Sequence, residues 1–163
     1  MTPDDEYRRR RAYHEAGHVV AALRYGRRVH SVTVPPLQGG ETKVDNLRFK
    51  RIHAAGPPFT PEDEAHLKEE MRIRASGRAA EIVILGNASS ESDNDMAWIA
   101  EVAALLGIRA WDTWQFELDA VDVMRQPAAL ERVHAIADAV LSRESLFEEE
   151  ILALASWPPE PKR

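Results

Sequence analysis

Cysteine is absent from this chain of 163 residues. Its absence excludes a disulfide framework, a zinc site built from thiolates and a cysteine nucleophile. Long apolar runs are also missing, since runs such as residues 19–23 and 82–85 are no longer than five residues and a bilayer span needs about 20 residues. No apolar core of a signal peptide follows the N-terminus. We therefore expect no membrane association and a cytoplasmic location.

Excess positive charge is missing as well, because 21 basic residues stand against 27 acidic ones and give a net charge of −6. A general nucleic-acid binder normally has a basic footprint, so we expect no nucleic-acid partner. No lysine follows a glycine, which excludes the phosphate-binding loop of ATPases. With 44% hydrophobic and 29% charged residues the composition is globular. It predicts a single domain over residues 1–156 and a loose proline-rich tail over residues 157–163.

Hydrophobic periodicity and capping signals predict a mainly α fold with a small β-hairpin beside the first helix. Thr60 before Pro61 is a strong helix start, and Gly77 is a candidate interruption of that helix. The predicted helices cover residues 7–25, 60–85, 92–106, 128–141 and 146–155, and the predicted strands cover residues 29–34 and 43–49.

The first predicted helix carries His-Glu-Ala-Gly-His at residues 14–18. Residues four apart on a helix lie one above the other, so the imidazoles of His14 and His18 can bind one metal ion. Zinc lowers the pKa of a bound water toward about 7, and Glu15 projects to the side where it can take that proton. The apolar residues of the helix lie on the opposite face, which leaves the histidine face free to build a site.

Two histidines do not complete a catalytic zinc site, which usually has three protein ligands and one open position. The longer metzincin pattern with a third histidine is absent, because position 24 is Arg. The third ligand must come from another segment, and spacing alone does not choose among the candidates. Their side-chain types leave Asp95, Asp93, Glu81, His66 and His53.

Several segments resemble, in order, the peptidase domain of the FtsH-type AAA zinc metalloproteases. Residues 12–18 resemble that family's Ala-Tyr-His-Glu-Ala-Gly-His zinc helix, and residues 29–35 its following strand. Residues 76–81 are similar to its Gly-Gly-Arg-x-Ala-Glu segment, residues 92–95 to its Ala-Ser-Asn-Asp, and residues 140–146 to its Leu-Leu-x-x-Glu-Thr-Leu. The likeness spans nearly the whole chain and includes neither the ATPase module nor the membrane anchor of that family.

The resemblance chooses among the candidate ligands. It implies that His14, His18 and Asp95 bind one zinc ion per chain and that Glu15 is the catalytic base. Asp95 lies in the first turn of a predicted helix, where a carboxylate is stabilised as an anion. Its alternative role is to complete a cap with Ser92.

Glu81 and the strand that contains residues 32–34 each have two possible roles. Glu81 either orients a ligand histidine through the free ring N–H or forms a structural ion pair with Arg78. The small β element of the family offers an edge to an extended peptide, which implies a substrate edge at Val32, Thr33 and Val34. The alternative is a strand that only covers the core.

The function implied is a stand-alone, ATP-independent zinc metalloendopeptidase that hydrolyses peptides or unfolded protein segments. The alternative is a catalytically weak, zinc-stabilised interaction or regulatory module of the same fold. Zinc-dependent hydrolysis of a non-peptide amide also fits the ligands, because the same site polarises many carbonyls. The sequence leaves open a separate ATPase or adaptor that delivers substrate, and a homo-oligomer.

Overall fold

A computed structural model describes residues 1–158. Within that range the chain is mainly helical with a small β element, which confirms the predicted fold class. The helices are α1 Pro3–Arg24, α2 Leu47–Ala55, α3 Pro61–Leu85, α4 Asp93–Leu105, α5 Trp114–Met124, α6 Pro127–Arg143 and α7 Glu148–Ala155. The strands are β1 Val29–Thr33, β2 Glu41–Val44 and β3 Ser145–Phe147. No helix in this part of the chain is long and apolar enough to cross a bilayer.

Side-chain caps set the starts of the two longest helices. Thr2 Oγ1 accepts the Asp5 N–H at 3.1 Å and the Asp5 carboxylate accepts the Thr2 N–H, so α1 begins four residues earlier than its apolar pattern indicated. Thr60 Oγ1 accepts the Asp63 N–H at 3.1 Å and begins α3 as expected. Gly77 does not interrupt α3, which continues to Leu85.

Helix α1 is buried on most of its circumference between residues 12 and 22 and packs against α3, α6 and the sheet. A Cβ added at Gly17 would meet the carbonyl oxygen of Ser76 and, at 2.8 Å, the Cβ of Ala80. The absence of a side chain at Gly17 therefore allows α1 and α3 to approach closely. The face of α1 that carries the histidines is also covered by other elements, since His14 and Glu15 are only 3% and 4% exposed.

The sheet is antiparallel in the order β2-β1-β3. Val32 pairs with Thr42 on one side and with Leu146 on the other. The expected substrate edge at Val32, Thr33 and Val34 is therefore wrong, since β1 is the central strand and the Val34 N–H donates to the Glu144 carbonyl at 2.9 Å.

Two segments take a different secondary structure from the one predicted. The second strand ends at Val44 rather than near residue 49, because the Asp45 carboxylate accepts the Leu47 N–H at 3.1 Å where α2 begins. Residues 145–147 begin no helix but form β3, which pairs with β1.

The start of the expected loose tail is held in place. Trp157 Nε1 donates to the Val20 carbonyl at 3.1 Å, and the guanidinium groups of Arg132 and Arg24 lie 4.3 and 5.3 Å from the indole ring. Trp157, the first residue of the segment expected to be loose, thus contacts α1 and α6, and residues 159–163 lie outside the described residues.

Candidate metal centre and cleft

Three candidate ligand atoms converge where α1 meets the first turn of α4. His14 Nε2 lies 3.0 Å from His18 Nε2 and 3.1 Å from Asp95 Oδ2, and His18 Nε2 lies 3.4 Å from the same oxygen. A tetrahedral zinc ion with bonds of 2.0–2.1 Å separates its ligand atoms by about 3.3 Å. The spacing of these atoms therefore fits a zinc ion.

The outer nitrogens of both imidazole rings are fixed by acceptors. His14 Nδ1 donates to Glu81 Oε1 at 2.7 Å, and His18 Nδ1 donates to the Ile73 carbonyl at 3.0 Å. Because a carboxylate and a carbonyl only accept, the proton of each neutral ring sits on Nδ1. The two Nε2 lone pairs then face one another and the Asp95 oxygen, an arrangement that a cation between them stabilises.

The carboxylates around His14 also favour the protonated form of its imidazole ring. Burial alone lowers the pKa of His14, but hydrogen bonds to Asp95 and Glu81 and the charge of Glu15 raise it to about 9. Burial likewise opposes ionisation of Asp95, yet hydrogen bonds from His14 and His18 hold its pKa far below the ordinary range. Metal binding near neutral pH therefore releases a proton from the site.

Glu81 lies against His14 and not against Arg78. Its fully buried carboxylate also accepts from Arg10 Nη1 at 2.9 Å and from the Ser89 N–H at 2.7 Å. Burial raises the pKa of Glu81, and these hydrogen bonds, that of His14 foremost, outweigh it and lower the pKa to about 2. Arg78 instead contacts Glu117 at 3.3 Å. Of the two contacts considered for Glu81, the structure therefore forms the one with the ring of His14.

Gly77 of α3 leaves the space that the two histidine rings occupy. A Cβ at this position would lie 2.6 Å from His18 Nε2 and 2.7 Å from His14 Nε2. Ordinary Cβ contacts begin at 3.4 Å, so any side chain here displaces the rings. The glycine thus forms one wall of the candidate metal centre.

Asp95 also contacts an arginine of α3 through the oxygen that does not face the histidines. Arg74 Nη1 lies 3.4 Å from its second oxygen, Oδ1, while the guanidinium stacks 4.5 Å from the centre of the Trp98 ring. This contact turns Oδ2 toward the histidines. Ser92 does not cap α4 with its side chain, which instead donates to the Ser89 carbonyl at 2.7 Å.

Glu15 lies beside the three ligands with both carboxylate oxygens engaged. Thr42 Oγ1 of β2 donates to Oε2 at 2.6 Å, and Arg11 Nη2 donates to Oε1 at 3.1 Å. Arg11 is itself held by Glu91 at 2.9 Å. These contacts fix the orientation of the carboxylate, and Glu15 is only 4% exposed.

An open cleft of about 430 Å³ runs past the ligands between β2 and α3. Its lining includes the three ligands, Glu15, part of β2 and both arginines that contact the site. The full set is Arg11, His14, Glu15, His18, Gly40, Glu41, Thr42, Val44, Asn46, Glu70, Ile73, Arg74, Glu91, Asn94 and Asp95.

The other candidate third ligands lie elsewhere among the described residues. His53 stacks on Phe49 with ring centres 5.6 Å apart, and Asp93 is exposed at the start of α4. His66 is buried on α3, where its Nε2 lies 3.7 Å from Glu70.

The side chains that contact the carboxylates of Glu15 and Asp95 were not predicted from the sequence. Arg11 lies four residues before Glu15, a spacing that favours ion pairs on a helix and was the available signal. Thr42 and Arg74 carried no local signal, because their contacts depend on how β2 and α3 pack against α1 and α4.

Comparison with known proteins places part of the chain near one group of enzymes. The chain is 32% identical over 108 residues to the ATP-dependent zinc metalloprotease FtsH of Thermobaculum terrenum, a match covering 61% of this chain and 15% of the relative. The FtsH of Acidimicrobium ferrooxidans is 30% identical over 109 residues, covering 66% and 15%. That of Acidothermus cellulolyticus is 33% identical over 94 residues, covering 56% and 13%.

No protein-family model matches the chain. The chain spans about one seventh of the length of the curated relatives it matches. It therefore contains a region related to FtsH, and the name of these relatives supports a zinc metalloprotease at the level of the family. The His14, His18 and Asp95 arrangement is consistent with the zinc in that name.

Proposed function

We propose that this chain is a zinc metalloendopeptidase that hydrolyses peptides or unfolded protein segments without ATP. The observation that carries the proposal is the site itself: three ligand atoms at zinc spacing, both outer ring nitrogens committed to acceptors, and Glu15 fixed beside them. The sequence of 163 residues contains no phosphate-binding loop motif, which fits a reaction without ATP.

In this proposal His14, His18 and Asp95 hold the zinc ion, and Glu15 moves the proton. Zinc bound in such a site polarises a peptide carbonyl and makes water a nucleophile near neutral pH. Glu15 takes one proton from the attacking water, whose oxygen forms a bond to the carbonyl carbon. The carboxyl group of Glu15 then gives that proton to the amide nitrogen as the C–N bond breaks, so the amine leaves neutral and the carboxylate is regenerated.

Strand β2 is the edge along which we propose that the substrate lies. Its inner side pairs with β1, and its residues Glu41, Thr42 and Val44 line the cleft. An extended segment added beside β2 gains main-chain hydrogen bonds that do not depend on its sequence. Because such pairing needs an extended chain, peptides and unfolded segments fit the cleft and folded proteins do not.

The test compares cleavage of an unfolded, fluorescently labelled protein by zinc-loaded wild type and by Glu15→Gln, both without ATP. Glutamine keeps the shape of the side chain and can still accept from Thr42, while the proton acceptor is lost. We expect wild type to cleave and the variant to lose at least about 10²-fold in kcat. Equal zinc content of the two proteins is the control.

Two outcomes would contradict the proposal. Equal cleavage by both proteins would show that Glu15 is not the base. One zinc ion per chain with no cleavage by wild type would favour the zinc-stabilised interaction module.

A further inference from the structure

One end of the cleft, beside His18, is walled by Val44, Asn46, Glu70 and Ile73, and we call it the Glu70 subsite. Glu70 lies one helical turn before Ile73, whose carbonyl accepts the His18 ring N–H. Glu70 thus lies on α3 next to a candidate zinc ligand, although no step of the proposed hydrolysis uses it.

The direction of β2 places Val44 and Asn46 at the same end. Strand β1 runs back along α1, since Arg8 near the start of α1 contacts the Val34 carbonyl at 3.4 Å. The antiparallel β2 therefore runs with α1, from Thr42 beside Glu15 to Asp45, whose N–H donates to the Arg28 carbonyl at 2.8 Å. A substrate paired with β2 therefore lies beside Glu15 where it pairs near Thr42, and beside the Glu70 subsite where it pairs near Val44.

One of the two carboxylate oxygens of Glu70 accepts no hydrogen bond from the residues that the structure describes. Its side chain is only 13% exposed, and Oε1 accepts from Arg27 Nε at 3.1 Å. Within residues 1–158, Oε2 makes no hydrogen bond. It is not one of the fully buried polar atoms that lack a partner, so it retains some exposure. Since Glu70 lines the cleft, a group bound there can reach its carboxylate.

The neighbouring cations do not neutralise Glu70 fully. Arg27 divides its single charge between Glu70 and Glu69, which it contacts at 2.8 Å. Arg74, one turn further along α3, makes its direct contacts with Asp95 and the ring of Trp98, and its charge acts on Glu70 only from a distance, where it lowers the pKa of that carboxyl. The three groups in direct contact, which are Glu69, Glu70 and Arg27, carry a net charge of −1.

The remaining walls suit a long side chain with a charged end. Val44 and Ile73 are apolar and match the methylene stem of lysine or arginine. The side chain of Asn46 does not cap α2, so its amide oxygen is a second acceptor for an ammonium or guanidinium group. An acidic side chain in the same place would face Glu70 without compensation, and an apolar one would bury the free oxygen without a partner.

We infer that the Glu70 subsite binds a lysine or arginine side chain of the substrate, so that the chain prefers peptides with a basic residue close to the cleaved bond. The inference rests on the proposed function for the cleavage, but the preference itself is a property of binding. Glu70 is then a specificity-determining residue that contacts the substrate side chain.

The experiment uses internally quenched peptides that are identical except for one residue, which is Lys, Met, Gln or Glu, scanned over three positions on each side of the cleaved bond. We expect kcat/KM to be about tenfold higher for Lys than for Met or Gln at one position, and lowest for Glu. Glu70→Gln should reduce the preference for Lys to less than about twofold.

Glu69→Gln is the matched control. It removes the other carboxylate that Arg27 contacts, on the same helix, and Glu69 does not line the cleft. This variant should keep the full preference for Lys. Loss of the preference in Glu69→Gln and Glu70→Gln alike would overturn the assignment, since it would then follow from Arg27.

A binding measurement separates this inference from the proposed function. Zinc-loaded Glu15→Gln is titrated into fluorescent versions of the same peptides and their anisotropy is followed. Tighter binding of the Lys peptide that disappears with Glu70→Gln supports the inference even if wild type cleaves nothing. Equal affinity for the Lys, Met and Glu peptides overturns it even if wild type cleaves all of them.

Discussion

Gly77→Ala tests whether the two histidine rings have only the space that glycine leaves. The added Cβ would lie 2.6 Å from His18 Nε2 and 2.7 Å from His14 Nε2, where ordinary contacts begin at 3.4 Å. The rings must therefore move by about 0.7 Å, whereas zinc–ligand distances tolerate about 0.2 Å. We expect the affinity for zinc to fall at least about 100-fold.

The magnitude follows from the coupling between metal binding and folding. A 100-fold weaker affinity removes about 2.7 kcal/mol from the stabilisation that a fixed concentration of free zinc provides. In the metal-free protein the same substitution gains about 0.5–1 kcal/mol of helix propensity, which offsets part of the cost of crowding the rings. The zinc-dependent part of the free energy of unfolding should therefore change more than the metal-free part.

Urea unfolding at buffered zinc concentrations and in excess chelator measures both parts. Ser76→Ala is the control, because it alters the same turn of α3 and removes only a hydroxyl that donates to the Arg72 carbonyl. Wild-type affinity for zinc in Gly77→Ala would show that α3 does not confine the two histidine rings in this way.

Three further predictions concern the partners of the site and a buried histidine away from it. Glu81→Gln removes the charge that orients His14, and we expect zinc affinity to fall about 10–100-fold in chelator competition; an unchanged affinity would contradict that role. Thr42→Val removes the hydroxyl that donates to Glu15, and we expect kcat to fall about tenfold with zinc content unchanged, measured with the quenched peptides; loss of zinc instead would point to general disruption. Burial and two nearby arginines lower the pKa of His66 from 6.5 to about 4, so between these pH values the unfolded chain binds a proton that the folded chain does not. As the pH falls from 7 to 4, the free energy of unfolding of metal-free wild type should therefore decrease by about 2–3 kcal/mol more than that of His66→Gln, and equal pH dependence in urea titrations would contradict the shift.

Local signals predicted the parts of the fold that depend on neighbours in the sequence. The start of α3 follows from residues 60–63, which carry the capping hydroxyl and the acidic groups of a first helical turn, and the start of α4 follows from the acidic residues 93 and 95. The two histidines could be placed on one helix face because the spacing of four is a property of the helix alone. The resemblance supplied Asp95, which spacing could not choose.

Long-range contacts explain what the sequence did not show. β3 has three residues, and it is a strand because Leu146 pairs with Val32 more than 100 positions away. That pairing makes β1 central and moves the free edge to β2. The role of Gly77 was hidden for the same reason, since only the crossing of α1 and α3 brings the histidine rings to it.

A crystal structure of the zinc-loaded protein with anomalous data at the zinc edge would show whether His14, His18 and Asp95 together hold a zinc ion. We expect one anomalous peak per chain, about 2.0–2.2 Å from the Nε2 atoms of His14 and His18 and from Asp95 Oδ2. A peak bound through other residues, or no peak at this site in protein that was loaded with zinc, would contradict it.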